Sequence, residues 1–200
     1  MKNRERETIQ LSYVIPESAT NGPGSHYTIW AQGCTFNCPG CFNPQTHDPK
    51  GGYTQSIEKL VEDIKTRWKE KKIRGVTFTG GEPLQQAQAV LNLAKKIKNI
   101  GKLGIIVLTG YEREEIHKQP ELAELNQYVD VFITGRFRQH QKIQRGLKGS
   151  SNKDYIFNST FYTEDEFDHI PEVEIITKDN GSLIISGIHP EVIEDALEKK

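Results

Sequence analysis

Ile73-Arg74-Gly75-Val76-Thr77-Phe78-Thr79-Gly80-Gly81-Glu82-Pro83-Leu84 begins as an apolar, β-branched run and ends in a double glycine, a glutamate and a proline. The run 73–79 predicts a strand. Leu84, Ala87, Val90, Leu91, Ala94 and Ile97 then recur at helical spacing, so the turn joins a strand to an amphipathic helix. Pro83 suits the first helical position, where its missing N–H costs nothing. Gly81 is expected to allow close backbone approach to a ligand, or a φ above zero, neither of which tolerates a Cβ.

Working outward, the same strand-then-helix unit repeats. A strand at 26–32 precedes helix-period apolars Ile57, Leu60, Val61, Ile64 and Trp68, with Thr54 or Ser56 as helix cap. A strand at 103–108 ends at Thr109-Gly110-Tyr111 and leads into short helical patterns over 112–127. A further strand at 130–134 ends at Gly135. Strands alternating with helices predict an α/β fold with a parallel sheet. Four or five such units are too few to close a barrel, so the expected form is an open partial (βα) barrel. Beyond 158, the β-rich runs 173–177 and 182–186 flank the hairpin signal Asp179-Asn180-Gly181, and a helix is expected from Pro190. The chain is therefore read as one domain over 1–200, with a core at about 21–158 and a hairpin-and-helix extension over 159–200.

Every unusual loop follows a strand, and in parallel α/β folds those strand ends share one ligand-binding rim. The first carries Cys34-Thr35-Phe36-Asn37-Cys38-Pro39-Gly40-Cys41, which holds all three cysteines of the 200 residues. Three cysteines so close together in a Gly/Pro-rich loop suit a metal centre rather than a disulfide framework. Two centres fit the spacing. His47 would complete a Cys3His zinc site. A [4Fe–4S] cluster normally takes four thiolates, so here it would keep one iron open to an exogenous ligand. The spacing favours the iron–sulfur centre, and the Gly80-Gly81-Glu82-Pro83 turn on the neighbouring strand end would meet the head group that fills the open position.

Composition narrows the alternatives. Charged residues make up 26% and net to −1, so no basic field exists to hold nucleic acid. No apolar run approaches the ~18 residues that span a bilayer, and the first residues lack the apolar stretch of a signal peptide. A cytoplasmic location is expected. His26, His47, His117, His140, His169 and His189 are scattered and read as ordinary surface or loop residues. Tyr111 would line the pocket or pack on its neighbour. Lys142, Arg145 and Lys148 read as a solvated basic face, and Thr163-Glu164-Asp165-Glu166 as a turn or helix start.

Cys34-x3-Cys38-x2-Cys41 together with Thr79-Gly80-Gly81-Glu82-Pro83 resembles the radical S-adenosylmethionine superfamily. Within it, Gly40-Cys41-Phe42-Asn43-Pro44, Thr109-Gly110-Tyr111, Val129-Asp130-Val131, Gly149-Ser150-Ser151-Asn152 and the entry Asn21-Gly22-Pro23-Gly24 are similar to the activating proteins of glycyl-radical enzymes. The likeness spans about 21–152. It departs at Asn21, Ser25 and His26, where those proteins commonly carry Asp before Gly-Pro-Gly and Arg after it, and at Thr134-Gly135, where they carry Asp-Gly.

The resemblance implies one [4Fe–4S] cluster on Cys34, Cys38 and Cys41 and S-adenosylmethionine on its open iron. It places Gly80, Gly81 and Glu82 at the methionine end and Gly40 and Phe42 against the adenosyl group. It implies a glycyl-radical protein substrate, such as an anaerobic ribonucleotide reductase, and a low-potential electron donor such as flavodoxin or ferredoxin. An open barrel edge with nothing else in the chain to close it points the same way, to a protein as the cover. The alternatives are the same chemistry on a small molecule, as in the enzymes that make deazaguanine precursors, and a non-catalytic zinc module.

Overall fold

The computed structural model describes residues 7–143, 145–177 and 180–188. β1 (Thr8–Ser18) runs antiparallel to β2 (His26–Ala31), and the short link between them permits no other pairing. β3 (Tyr53–Ser56) pairs antiparallel with the start of β1 and leads directly into α1 (Ile57–Lys69), which is capped by the Ser56 hydroxyl accepting from the Lys59 N–H. β4 (Gly75–Gly80), α2 (Ala87–Ile100) and β5 (Gly104–Leu108) follow, then α3 (Arg113–Lys118), α4 (Pro120–Leu125) and β6 (Val131–Thr134). β7 (Asp154–Phe157) returns antiparallel to β6. After α5 (Glu164–Asp168), β8 (Val173–Thr177) and β9 (Leu183–Gly187) form a separate antiparallel hairpin.

The seven-stranded sheet has the order β3-β1-β2-β4-β5-β6-β7. Its middle four strands, β2, β4, β5 and β6, are parallel. The sequence predicted those four. It did not predict β1, β3 and β7, which make both flanks antiparallel, so the fold is a mixed α/β sheet rather than a purely parallel one. The hairpin appears where expected, whereas the helix expected from Pro190 lies outside the described residues. Among the described residues no helix is long and apolar enough to cross a membrane.

Strand alternation divides the core between the two faces of the sheet. Ile105, Val107 and Phe132 turn toward α1, α2 and α4, joining Leu60, Ile64, Val90, Leu93, Ile97 and Leu122 in the larger cluster. Ile106, Val131 and Ile133 turn the other way and are covered by Leu147, Tyr162 and Phe167. The chain beyond the last parallel strand therefore closes the second face, and the strand ends between the two layers stay open for the loops.

His26 corrects the surface reading of the histidines. It is wholly buried on β2, bonded through Nδ1 to Thr77 Oγ1 at 2.8 Å and through Nε2 to Tyr162 Oη at 3.1 Å. Burial, reinforced by the charge of Arg74, pushes its pKa down to about 3, so it is neutral and ties β2 to β4 and to the covering segment. The 163–166 stretch starts α5 as expected, with a capping box between Thr163 and Glu166. Glu166 also pairs with Arg74, whose guanidinium lies over the Tyr162 ring.

Candidate active site

The four parallel strand ends are fastened to one another. Register sets Ala31 beside Gly80, and the Gly81 N–H donates to Ala31 O and the Glu82 N–H to Gly33 O, both at 2.9 Å. The Thr109 N–H donates to Ile133 O at 2.9 Å. Glu82 completes the link. Its carboxylate is buried and accepts from the Leu84 N–H at 2.9 Å, the Thr109 hydroxyl at 2.8 Å and the Gly110 N–H at 2.7 Å. Burial pushes its pKa up, and these donors together with the nearby charge of Lys153 oppose that.

The two glycines of the turn have different reasons to be glycine. Gly80 has φ +98°, a left-handed conformation that side chains resist. Gly81 has no such φ, which corrects one of the two explanations expected for it. A Cβ there would lie 2.5 Å from Gly33 O and 3.0 Å from Thr46 O, so its neighbour is the base of the cysteine loop.

That loop is held at both ends. The Gly33 N–H donates to Thr46 O at 2.8 Å and the Cys34 N–H to His47 O at 3.1 Å. Thr35 is clasped by Gln85, whose side chain accepts from its N–H at 3.2 Å and donates to its hydroxyl at 2.7 Å. Phe36 packs edge-on against Tyr111 with ring centroids 5.1 Å apart and lies under Arg136, 4.3 Å from the ring. Arg136 is itself fixed by a two-pronged pair with Glu115 at 2.8 and 3.0 Å. Tyr111 is thus a packing partner of the loop. Phe36, Gln85 and Arg136 gave no sequence signal, because an aromatic, an amide and a guanidinium acquire their roles only when distant loops meet.

Cys34, Cys38 and Cys41 are each half-buried and line one cavity of about 330 Å³. Phe42, Gly80, Gly81 and Glu82 line it too. Phe42 leans on Phe137 with centroids 4.8 Å apart. Gly40 does not line the cavity; it takes φ +69°, and a Cβ on it would lie 2.7 Å from Gln139 Cδ. Burial pushes the Cys34 and Cys41 thiols up, so metal must displace their protons on binding.

The donor set suits a cluster better than a single ion. Among the described residues no three His, Cys, Asp or Glu side chains converge on a point that would hold one ion, and His47 is not part of the cavity lining. The Cys3His zinc site therefore has no support in this geometry. Three thiols spaced around a cavity fit a body several atoms across, and no fourth cysteine exists to close it.

The hairpin corrects the expectation that nothing in the chain covers the site. Ile185, Ser186, Gly187 and Ile188 form part of the cavity wall. Glu174 on β8 fastens the hairpin to the loop after β1: its carboxylate accepts from the Ser18 hydroxyl, from the Ala19 N–H at 2.9 Å and from the Thr20 hydroxyl at 2.8 Å. Asn21 Nδ2 donates to Ser186 Oγ at 2.8 Å. The basic run is only partly a solvated face. Arg145 is exposed and pairs with Asp168, whereas Lys148 lines the cavity with its ammonium 4.2 Å from the Tyr155 ring centroid.

Comparison with known proteins agrees with the cluster chemistry. A family model described as a 4Fe-4S single cluster domain matches residues 20–156. A protein of Vibrio cholerae serotype O1, named anaerobic ribonucleoside-triphosphate reductase-activating protein, is 36% identical over 147 residues, covering 69% of this chain and 91% of its own. Proteins of the same name from Enterobacteria phage T4 and Escherichia coli K12 are 31% and 33% identical, over 70% and 69% of this chain and 88% and 92% of theirs. A cluster model that takes in all three cysteines, and relatives of one description matched over about nine-tenths of their length, show that the chain belongs to the anaerobic ribonucleoside-triphosphate reductase-activating protein family.

Proposed function

We propose that this chain is a radical S-adenosylmethionine enzyme that installs a glycyl radical on an anaerobic ribonucleotide reductase. The observation that carries this reading is the opening of three thiols and the Gly80-Gly81-Glu82 turn onto one cavity, with no fourth cysteine in the chain. Cys34, Cys38 and Cys41 would hold three irons of one [4Fe–4S] cluster and leave the fourth for S-adenosylmethionine. When bound and reduced by one electron, this pair of cofactors supplies a 5′-deoxyadenosyl radical that abstracts hydrogen.

The residues of the chain position that chemistry. Gly80 and Gly81 present bare backbone to the methionine end. Glu82 braces the turn against the Thr109-Gly110 strand end, which keeps the cavity floor fixed, and its placement near the methionine amino group is part of the proposal. Phe42 supplies an aromatic face for the adenosyl group, with Gly40 shaping the loop behind it. The hairpin walls one side and excludes water there. The remaining opening would admit the glycine-bearing loop of the partner. In this reading the whole chain acts as one domain whose strands curve as an open partial barrel, works in the cytoplasm and receives electrons from a flavodoxin or ferredoxin.

Under strict anaerobiosis, the reductase is expected to acquire a stable glycyl doublet in its paramagnetic resonance spectrum. The doublet appears only when this chain, reductant and S-adenosylmethionine are all present. Without the partner, cleavage of S-adenosylmethionine is expected to be slow and uncoupled. Rapid, coupled turnover of a small metabolite with no second protein would overturn the assignment of substrate and replace it with the small-molecule reading.

A further inference from the structure

The Gly149-Ser150-Ser151-Asn152 segment sits far in sequence from the cysteines, and the chemistry above leaves it without a task. Locally it is a tight turn. Gly149 has φ +71°, Ser150 is buried with its hydroxyl accepting from the Arg138 N–H at 3.3 Å, and Asn152 Nδ2 donates to Arg136 O at 2.9 Å. The turn closes with the Lys153 N–H donating to Ser150 O at 3.2 Å, immediately before β7. Its product is a fixed position for Lys153, which lines the same cavity as the three cysteines and Glu82.

Lys153 stands out from the other cations nearby. Arg136 is held by Glu115 and covers Phe36. Lys148, which also lines the cavity, rests on the Tyr155 ring. Among the described residues, Lys153 has neither a hydrogen-bonded side-chain partner nor an ion pair. It is half-buried, and Glu82, Cys38, Glu112 and Cys41 act on it only across space. Desolvation lowers its pKa, which marks an ammonium short of compensating contacts. Glu82 does not serve as its direct partner, since that carboxylate is taken up by Leu84, Thr109 and Gly110. A half-buried ammonium facing a ligand cavity without a partner is completed by an anion on the ligand.

We propose that Lys153 is a cofactor-binding residue whose ammonium pairs with the methionine carboxylate of S-adenosylmethionine. The inference rests on the reading that this cofactor occupies the cavity, and it gives the turn at 149–152 its purpose: a rigid mount that carries a positive charge to the methionine end. The adenosyl end offers no negative group for the same lysine.

Equilibrium dialysis of S-adenosylmethionine against the oxidised, cluster-loaded protein tests this without catalysis. Lys153→Met is expected to keep its iron and sulfide content and to bind S-adenosylmethionine roughly ten- to hundredfold more weakly, the range of one charge-assisted hydrogen bond. For the decarboxylated analogue, the parent and the variant are expected to bind equally. Should Lys153→Met fail to take up its cluster, Lys153→Gln serves for the same comparison. Unchanged affinity for S-adenosylmethionine in the variant would overturn the proposal. An equal loss for both ligands would also overturn it, since the charge would then be acting on something other than the carboxylate. Failure of the cluster-loaded parent to bind S-adenosylmethionine at all would instead remove the underlying reading.

Discussion

Cys34→Ala, Cys38→Ala and Cys41→Ala should each abolish reductive cleavage of S-adenosylmethionine while leaving the fold in place. The chain has three cysteines in total, so each thiol lost has no substitute, and a cluster held by two thiolates is not retained as an open-iron cubane. The fold does not depend on them. None of the three belongs to either buried apolar cluster, and all are half-exposed on a rim loop. The loop is held instead by the contacts of Gly33 with Thr46, Thr35 with Gln85, and Phe36 with Tyr111. Substitutions away from core and caps usually change stability by no more than about 0.5 kcal/mol, so the apo variants should melt close to the apo parent. Product analysis after reduction, together with thermal melts, checks both halves. Parental cleavage rates in any one variant would contradict the ligand assignment.

Gly81→Val should be nearly as damaging, and by a route that the sequence did not suggest. From the sequence, a Cβ at this position is expected to block backbone approach to the cofactor or to strain a φ above zero, and to leave the cluster in place. In the structure it meets Gly33 O at 2.5 Å, and Thr46 O at 3.0 Å, both backbone atoms that cannot swing aside. Gly33 and Thr46 are the pair that closes the base of the cysteine loop, so relieving the clash means moving the loop. Overpacking of this kind costs about 1–3 kcal/mol, and two β-branched methyls add to the single Cβ. Gly81→Val is therefore expected to lose most of its cluster as well as its cofactor affinity, with a lowered melting temperature. Iron analysis after anaerobic reconstitution reads the effect. A variant that loads iron and binds S-adenosylmethionine like the parent would show that the turn is only a turn.

The catalytic half of the molecule was legible because its signals are local. Val76, Phe78 and the helix-period apolars after Pro83 announce a strand and its helix within one window, and the three cysteines fall within eight residues. The antiparallel flanks were not legible. Ile9 and Leu11 alternate, but the register shifts between Leu11 and Tyr13 and again between Ile15 and Ser18, which breaks the period across β1 and accommodates Pro16. β3 is the polar run Tyr-Thr-Gln-Ser, a strand only because the start of β1 pairs with it. His26 looked like a surface residue because its partners, Thr77 and Tyr162, are 51 and 136 residues away. The hairpin is legible as a hairpin, yet its place at the cavity depends on Glu174 reaching Ser18, Ala19 and Thr20, more than 150 residues earlier. Composition and period report what an element is, while long-range polar contacts decide what it stands next to.

The proposed chemistry stands on an open-iron cluster that takes S-adenosylmethionine. Its most direct test is the electron paramagnetic resonance spectrum of the anaerobically reconstituted, reduced protein, recorded before and after S-adenosylmethionine is added. About four irons and four sulfides per chain are expected, with a spectrum that changes on addition, because the cofactor would bind the iron that no cysteine holds. A spectrum indifferent to S-adenosylmethionine would contradict it, as would a chain that takes up no iron but holds stoichiometric zinc that His47→Ala releases.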